Sequence, residues 1–211
     1  NIITLNIGGI SNLTFIPKDG KRTNVLGFDT GPGMCLIDLF SSMTWNTRID
    51  NNSKFSSKGE INYELLDYFM KDPYVNAVPP KSTTTEYFDK LFLLNAIKKF
   101  KKITKCDFIR TLVNFTAKSI ILNINNYIKN NIKCRIIISG GGTNHPLLVE
   151  DLKDNIKSMK FEIFNNNKLC ADSKESFLIA LMGYTRYNNI PNNMQTVTGA
   201  KSLCSYGEIY E

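Results

Sequence analysis

The stretch GFDTGPG at residues 27–33 decides how the rest of this sequence is organised. A short apolar run precedes it, and the mostly apolar segment 34–40 follows it at spacings that suit a helix. This order of strand, glycine-rich turn and helix start predicts unpaired backbone N–H groups that face whatever lies over the turn. The glycines let a large anion approach, and the Asp29 carboxylate is a candidate ligand for an accompanying cation. The alternative is a tight turn in which Asp29 only caps the helix.

Two further glycine turns lie at predicted strand ends. Two β-rich runs, residues 2–7 and 10–16, flank a Gly-Gly pair and predict a hairpin. A short buried strand at residues 135–138 ends at the turn SGGG, residues 139–142. Each turn by itself is most simply an ordinary loop. Three of them in one fold-consistent order favour a nucleotide site.

The order of elements predicts an α/β fold with one mixed sheet. Strands that alternate with helices late in the chain indicate parallel pairing there, with helices on both faces of the sheet. This is the order of a ribonuclease-H-like lobe, the half-unit of ATPases of the actin, hexokinase and Hsp70 type. We expect a single lobe over residues 1–211 with an inserted segment at about 46–85. The later predicted elements are helices 86–100, 107–130, 146–157 and 173–187 and strand 161–164.

Composition excludes several classes of protein. The formal net charge is +7, but the lysines are spread along the chain, and their one cluster, residues 98–105, alternates with apolar residues like a solvated helix face. We therefore expect no nucleic-acid partner. Five cysteines without a CxxC pair, and one histidine, argue against zinc and for reduced thiols. With no signal-peptide pattern and no apolar stretch of bilayer length, we expect a cytoplasmic protein without a membrane partner.

Five blocks of sequence together resemble the anhydro-N-acetylmuramic acid kinase family. They are LNIGGISNLT at residues 5–14, FDTGPG at 28–33, PPKST at 79–83, SGGG at 139–142 and VTGA at 197–200. The resemblance covers almost the whole chain in the order that the family has. The first two blocks are long and therefore the most specific.

The resemblance implies an enzyme of bacterial cell-wall recycling that depends on ATP and Mg²⁺. Such enzymes hydrolyse the internal anhydro bond of the amino sugar and phosphorylate its O6, which yields N-acetylmuramic acid 6-phosphate. In the family, an N-terminal lobe with a phosphate loop and the aspartate general base precede the block at residues 5–14. The chain thus looks like the C-terminal lobe alone, inactive by itself, with the missing lobe as partner and a homodimer as a further option. The alternative is a non-catalytic actin-like half-domain that binds a nucleotide or a partner.

The sequence departs from the family pattern at three places. Met34 stands where the family has asparagine, and Thr84, Thr85 and Glu86 stand where it has Gly-Arg-Glu. After the triple glycine, Asn144 precedes the histidine instead of following it. These differences fall next to the predicted site residues and bear on the fine geometry there.

The turns and the resemblance together give a set of candidate site residues. No catalytic base is expected within this chain, Asp29 is the candidate metal ligand, and the resemblance places Glu175 at the sugar. Glu175 also stands three residues after Asp172, which favours a capping box instead. The expected nucleotide-binding residues are Asn6, Gly8, Gly9, Asn12, Gly31, Gly33, Gly140, Gly141, Gly142 and Asn144.

Three further features have structural interpretations. His145 is expected to lie at a helix start or in a loop, because no neighbouring serine or cysteine pattern supports nucleophilic chemistry. Lys81 is a candidate for contact with an acidic ligand, but a solvated loop lysine is the simpler expectation. Phe177, Leu178 and Leu181 recur at helical spacing and are expected in the core.

Overall fold

The computed structural model describes residues 1–128, 134–156, 160–163 and 173–210. Its strands form one five-stranded sheet in the order β3-β2-β1-β4-β5. The β1–β2 and β2–β3 pairs are antiparallel, whereas β1–β4 and β4–β5 are parallel. The predicted mixed sheet of a ribonuclease-H-like lobe is therefore confirmed. The strands are β1 (Ile2–Ile7), β2 (Ile10–Ile16), β3 (Leu26–Pro32), β4 (Arg135–Ser139) and β5 (Lys160–Ile163).

Seven α-helices occur within the described residues, and several begin at a side-chain cap. Asn62, Asp89 and Thr104 each accept a hydrogen bond from a backbone N–H of the first turn, which fixes where the helices after them begin. The predicted ends at residues 130, 157 and 164 lie outside the described residues. The helices are α1 (Cys35–Trp45), α2 (Tyr63–Met70), α3 (Lys90–Lys99), α4 (Lys105–Tyr127), α5 (Pro146–Asn155), α6 (Ser173–Tyr187) and α7 (Gln195–Thr198).

The core lies on one face of the sheet. Ile3, Leu5 and Ile7 of β1 are fully buried, while Thr4 between them is exposed, so the period of two decides which face packs inward. The long helix α4 supplies much of the cover, and α1 and α5 pack beside it. On the other face, the α7 side chain Val197 lies against Gly27 of β3. Helices thus lie on both faces, as expected.

The segment predicted as an insertion contributes to this same core. Phe69 of α2 is fully buried and stacks on Phe115 of α4 with ring centroids 5.0 Å apart. Leu65, one turn earlier on α2, is also fully buried. Aromatic packing therefore anchors the segment on α4. Aromatic rings favour such offset stacking. Its assignment as an insertion on a single lobe stays a prediction.

The bounds of α6 agree with the predicted helix 173–187, but the expectation of a core position was wrong. Phe177, Leu178 and Leu181 are 58%, 53% and 47% exposed. Helical spacing shows that apolar side chains share a stripe, but it carries no information on which surface covers the stripe.

Among the residues described, no helix combines the length and the apolar character needed to cross a membrane.

The three glycine turns lie at one edge of the sheet. The strands β1, β3 and β4 run in the same direction, so the turns that follow them meet at the carboxyl edge. At this edge the start of α1 is tied to the hairpin tip, since Gly33 N–H donates to Gly9 O at 2.9 Å and Met34 N–H to Gly8 O at 2.8 Å. A Cβ on Gly33 would lie 2.3 Å from Gly8 O, so the contact requires glycine.

We expect Gly33→Ala to lower the free energy of unfolding by about 1–3 kcal/mol or more, because the hairpin tip and the start of α1 have to move apart. Thermal and urea unfolding of the full-length protein measure the change. Gly141→Ala is the matched control, because a Cβ there meets nothing within 4 Å. Equal stability of the two variants would contradict the close approach at Gly33.

Candidate functional site

A cavity of about 360 Å³ opens at the carboxyl edge of the sheet. Four of the predicted nucleotide-binding residues line it: Gly8, Gly9, Gly141 and Asn144. Its volume is at the lower end of the range of small-molecule sites, about 300–1,000 Å³. The remaining lining residues are Met34, Asp38, Ile49, Asp50, Asn51 and Asn52.

Three backbone N–H groups at the start of α1 are bonded to the hairpin tip and are not available to a ligand. Besides the two bonds already given, Cys35 N–H donates to Gly9 O at 3.1 Å. The expectation of unpaired N–H groups over the GFDTGPG turn was therefore wrong. The carbonyls of the hairpin tip take the place of the anion that a free helix N-terminus attracts.

The predicted glycines divide into those that line the cavity and those that pack behind it. A Cβ on Gly140 would lie 2.5 Å from Ile7 O, and one on Gly142 would lie 2.4 Å from the Ile7 side chain. Gly31 has a positive φ of 143° and lies near Ser119 of α4, away from the cavity. Gly140 and Gly142 shape the cavity wall by packing on Ile7, whereas Gly141 presents open backbone to the cavity.

A buried polar cluster holds the cavity wall formed by residues 49–52. The His145 Nδ1 accepts the N–H of Leu148 at 3.3 Å and so caps α5, as expected for a helix-start histidine. With Nδ1 accepting, Nε2 carries the hydrogen and faces Asp50 Oδ2 at 3.3 Å. The Ser53 hydroxyl lies 3.3 Å from the same Nδ1.

The Asp50 carboxylate is fully occupied by this cluster. It accepts the N–H of Phe55 at 2.8 Å and that of Ser56 at 3.2 Å in addition to the His145 contact. Burial by itself would raise the pKa of Asp50, but the hydrogen bonds from His145, Ser56 and Phe55 outweigh it and hold the pKa below its ordinary value. Asp50 therefore positions the wall.

Asp38, in the first turn of α1, presents the opposite case. Its Oδ1 atom is buried and has no hydrogen-bond partner among the described residues. Burial raises the pKa of Asp38 to about 6, and Asp50 adds to the rise, while His145 and Arg48 oppose it. The cavity thus contains one carboxyl group that the protein itself does not satisfy.

Three further predicted residues, together with Ser139, form a polar row on the other face of the sheet. Asp29, Asn12, Asn6 and Ser139 are successive register partners on β3, β2, β1 and β4. The Ser139 hydroxyl donates to Asn6 Oδ1 at 3.3 Å. Asn6 alternates with the buried Leu5 and therefore points away from the core face. We call these four residues the polar row.

The contacts of Asp29 rule out the helix-cap alternative. Its Oδ2 accepts the Ser82 hydroxyl and the Thr83 N–H, both at 2.9 Å, whereas α1 has no side-chain cap. Asp29 Oδ1 has no hydrogen-bond partner within the described part of the chain. No group of three or more histidine, cysteine or acidic side chains suited to a metal occurs among the residues described. A metal at Asp29 would need oxygens from its ligand and from water.

Two other candidate residues need separate statements. Lys81 was wrongly expected in solvent: its Nζ donates to Tyr74 O at 3.2 Å and Val75 O at 3.1 Å, and burial lowers its pKa to about 8. Glu175 lies in the first turn of α6, but its side chain, and all of Asp172, lie outside what the structure describes.

Asp38, Asp50 and the adjacent residues were missed because no glycine motif marks them. A usable signal existed, since Asp38 is the one charged residue in the helix sequence CLIDLFSSMTW of α1. A single carboxylate in an otherwise apolar and neutral helix is more often held for a contact than for solubility.

The comparison with protein families decides the relationship. A family model described as anhydro-N-acetylmuramic acid kinase matches residues 1–211. The chain belongs to the anhydro-N-acetylmuramic acid kinase family. The family resemblance seen in the five sequence blocks is therefore confirmed.

Individual relatives within the anhydro-N-acetylmuramic acid kinase family agree. The enzyme of that name from Clostridioides difficile (strain 630) is 36% identical over 210 residues, covering 99% of this chain and 55% of the relative. The one from Bacillus cereus (strain AH187) is 32% identical over 212 residues, covering 99% and 56%. The chain spans about half the length of the curated relatives it matches. Among solved structures, component A of the (R)-2-hydroxyglutaryl-CoA dehydratase of Acidaminococcus fermentans gives a TM-score of 0.48 at 14% identity, over 77% of this chain and 54% of that one.

We expect Asp50→Asn to lower the free energy of unfolding at pH 7 by about 1–3 kcal/mol, because one backbone N–H or the imidazole loses its acceptor. Because the pKa of Asp50 is lowered in the folded protein, its ionised carboxylate stabilises the fold at pH values above the unfolded pKa of 3.8. This stabilisation is lost as the pH falls through the lower pKa of the folded state. The difference between variant and wild type should therefore shrink on acidification, as measured by urea unfolding from pH 7 to pH 3. Asp67→Asn, at an exposed ion pair with Lys71, is the control and should change little at any pH.

Proposed function

We propose that this chain is the nucleotide-binding lobe of an ATP-dependent kinase that converts anhydro-N-acetylmuramic acid to N-acetylmuramic acid 6-phosphate. The observation that carries the proposal is the convergence of two glycine turns, at Gly8-Gly9 and Gly141, on one cavity at the carboxyl edge of the sheet. Ligands of open α/β sheets bind beyond this edge. Membership of the family supports the proposed kinase reaction, and the position of the cavity at the carboxyl edge supports a nucleotide as its ligand.

The lining of the cavity fits a nucleotide. Gly141 has open space where a side chain would project, so a flat group can pack directly on its backbone. Met34 and Ile49 add apolar surface, and the amide groups of Asn51 and Asn144 add polar contacts. This combination of apolar walls and a few polar groups is typical of small-molecule sites.

The polar row fits Mg²⁺ held through water and phosphate. Mg²⁺ keeps several waters and is commonly bound by one or two carboxylates together with substrate phosphates. Asp29 offers one carboxylate oxygen without a partner, and the side-chain amide of Asn12 has no hydrogen-bond partner among the described residues. Mg²⁺ supplies charge neutralisation for the transferred phosphoryl group. Asp29 would hold the metal, and Ser82 and Thr83 fix the orientation of its carboxylate.

The remaining chemistry is assigned to a second lobe. The relatives are about twice as long as the match, which accords with a second lobe that carries the phosphate loop and the general base. In this arrangement the sugar lies between the lobes, with Glu175 on this side. Water opens the anhydro bond, and the γ-phosphoryl group passes to O6 of the sugar. By itself, the chain is a binding half-domain.

We expect the 211-residue chain alone to give no detectable phosphorylation of anhydro-N-acetylmuramic acid, while the full-length protein turns over with ATP and Mg²⁺. Loss of the general base alone is worth about 10²–10⁴-fold, and loss of positioning adds to it. Release of ADP and formation of the 6-phosphate, followed by mass spectrometry, measure both proteins. Turnover by the chain alone at the full-length rate would show that the base lies within these 211 residues.

In the full-length protein, Asp29→Asn should keep the fold and reduce kcat by roughly a hundredfold or more, because a neutral amide is a poor partner for hydrated Mg²⁺. The amide oxygen can still accept from Ser82 and Thr83, so thermal unfolding without ligand should change little. The Mg²⁺ concentration for half-maximal rate should rise. Asp67→Asn serves as the surface control. An unchanged rate with unchanged Mg²⁺ dependence would remove Asp29 from the metal site.

A further inference from the structure

We propose that Asp38 is a specificity-determining residue, whose carboxylate accepts a hydrogen bond from the nucleoside part of the nucleotide in the cavity. The inference rests on the proposed function, because it deepens the assignment of the same cavity. It concerns a residue outside the glycine turns and outside the five sequence blocks.

The first argument is that the protein leaves this carboxyl group unsatisfied. Buried polar atoms in folded proteins almost always have a hydrogen-bond partner, so an exception calls for a reason. Asp38 Oδ1 is buried without a donor among the described residues, although Asp38 also lines the cavity. Asp50, in the same cavity wall, shows that local backbone N–H groups can satisfy a carboxylate when the fold provides them.

The second argument concerns the charge that the cavity tolerates. Two carboxyl groups, Asp38 and Asp50, line it, and phosphate oxygens placed beside them would be repelled. A neutral group with N–H or O–H donors is attracted instead. In a nucleotide these donors are the ribose hydroxyls and the amino group of the base. The phosphates therefore lie away from Asp38 and Asp50.

The third argument concerns the groups around Asp38. The titratable and charged groups that act on it are Asp50, His145 and Arg48, together with Cys35 on its own helix. His145 is already held by Ser53 and Asp50, and Arg48 is exposed. None of them donates a hydrogen bond to Asp38 in the described structure. Burial, which no such hydrogen bond offsets, raises the pKa of Asp38 to about 6, so the ionised carboxylate destabilises the empty lobe at neutral pH.

The test compares nucleotide affinities of the wild-type full-length protein and of Asp38→Asn by titration calorimetry. The ligands are ATP, 2′-deoxy-ATP, 3′-deoxy-ATP, purine riboside triphosphate and inorganic tripolyphosphate. We expect Asp38→Asn to bind ATP about ten- to a hundredfold more weakly, the range for a lost hydrogen bond to a charged group. The analogue that lacks the donor should bind weakly to the wild type and lose little more in the variant, which identifies the donor as ribose or base.

Three controls separate recognition from a structural effect. Tripolyphosphate should bind the variant as well as the wild type or better, because a repulsive charge is removed. Without ligand, Asp38→Asn should melt at a higher temperature than wild type at pH 7.5, and the gain should shrink as the pH falls below 6 and vanish below the unfolded value of 3.8. The sign follows from the raised pKa: the cost of ionisation is absent below the unfolded value of 3.8 and grows as the pH rises toward 6. Asp67→Asn should change neither affinity nor melting.

The outcomes that overturn the inference are distinct from those that overturn the proposed function. Wild-type protein that does not bind ATP removes both. Wild-type protein that binds ATP, together with unchanged ATP affinity in Asp38→Asn, removes the role of Asp38 alone. If Asp38→Asn changes the KM of the sugar but not the affinity for ATP, the cavity is assigned to the sugar and the inference about Asp38 is also wrong. A lower melting temperature in the variant would make Asp38 a structural residue.

Discussion

The structure of the site depends on three hydrogen bonds between the start of α1 and the tip of the β1–β2 hairpin. In these bonds, the N–H groups of Gly33, Met34 and Cys35 donate to the carbonyl oxygens of Gly8 and Gly9. The bonds set the distance between hairpin and helix, and with it the position of Asp38 one turn further along α1. They require a residue without a side chain at Gly33, which explains the last glycine of the GFDTGPG stretch by packing.

The sequence predicted those parts of the fold that local rules determine. Alternating apolar residues in β1 and a Gly-Gly pair specify the hairpin, and strand–helix alternation specifies parallel pairing of β4 and β5. The common edge of the three turns follows from strand direction alone. The division of the glycines between cavity and packing could not be predicted, because it depends on which backbone lies opposite each Cα. Gly140 and Gly141 are neighbours, yet only Gly140 would collide with Ile7.

The remaining errors share one physical cause, which is that burial is a property of the assembled chain. Lys81 follows two prolines in a loop, so its sequence suggests solvent, but β3 and the aromatic side chains of Phe28 and Tyr74 surround it. Phe177 stands in a well-formed helical stripe and is more than half exposed. In both cases the pattern describes the element correctly and leaves its surroundings open. Asp38 is a further example, since only the folded structure shows that its buried Oδ1 has no hydrogen-bond donor among the described residues.

The use of the α1 N–H groups has a consequence for the proposed kinase. A helix N-terminus at the carboxyl edge usually supplies donors for phosphate, but here the hairpin carbonyls have consumed the first three. The cavity beside it contains carboxyl groups and so favours the neutral nucleoside. In the proposed kinase, this lobe would orient the nucleotide and contribute a carboxylate for the metal at Asp29, but it would offer few donors for the phosphates. On this proposal those donors come from the opposite side of the cleft, and binding of the phosphates is the step for which a second lobe is needed.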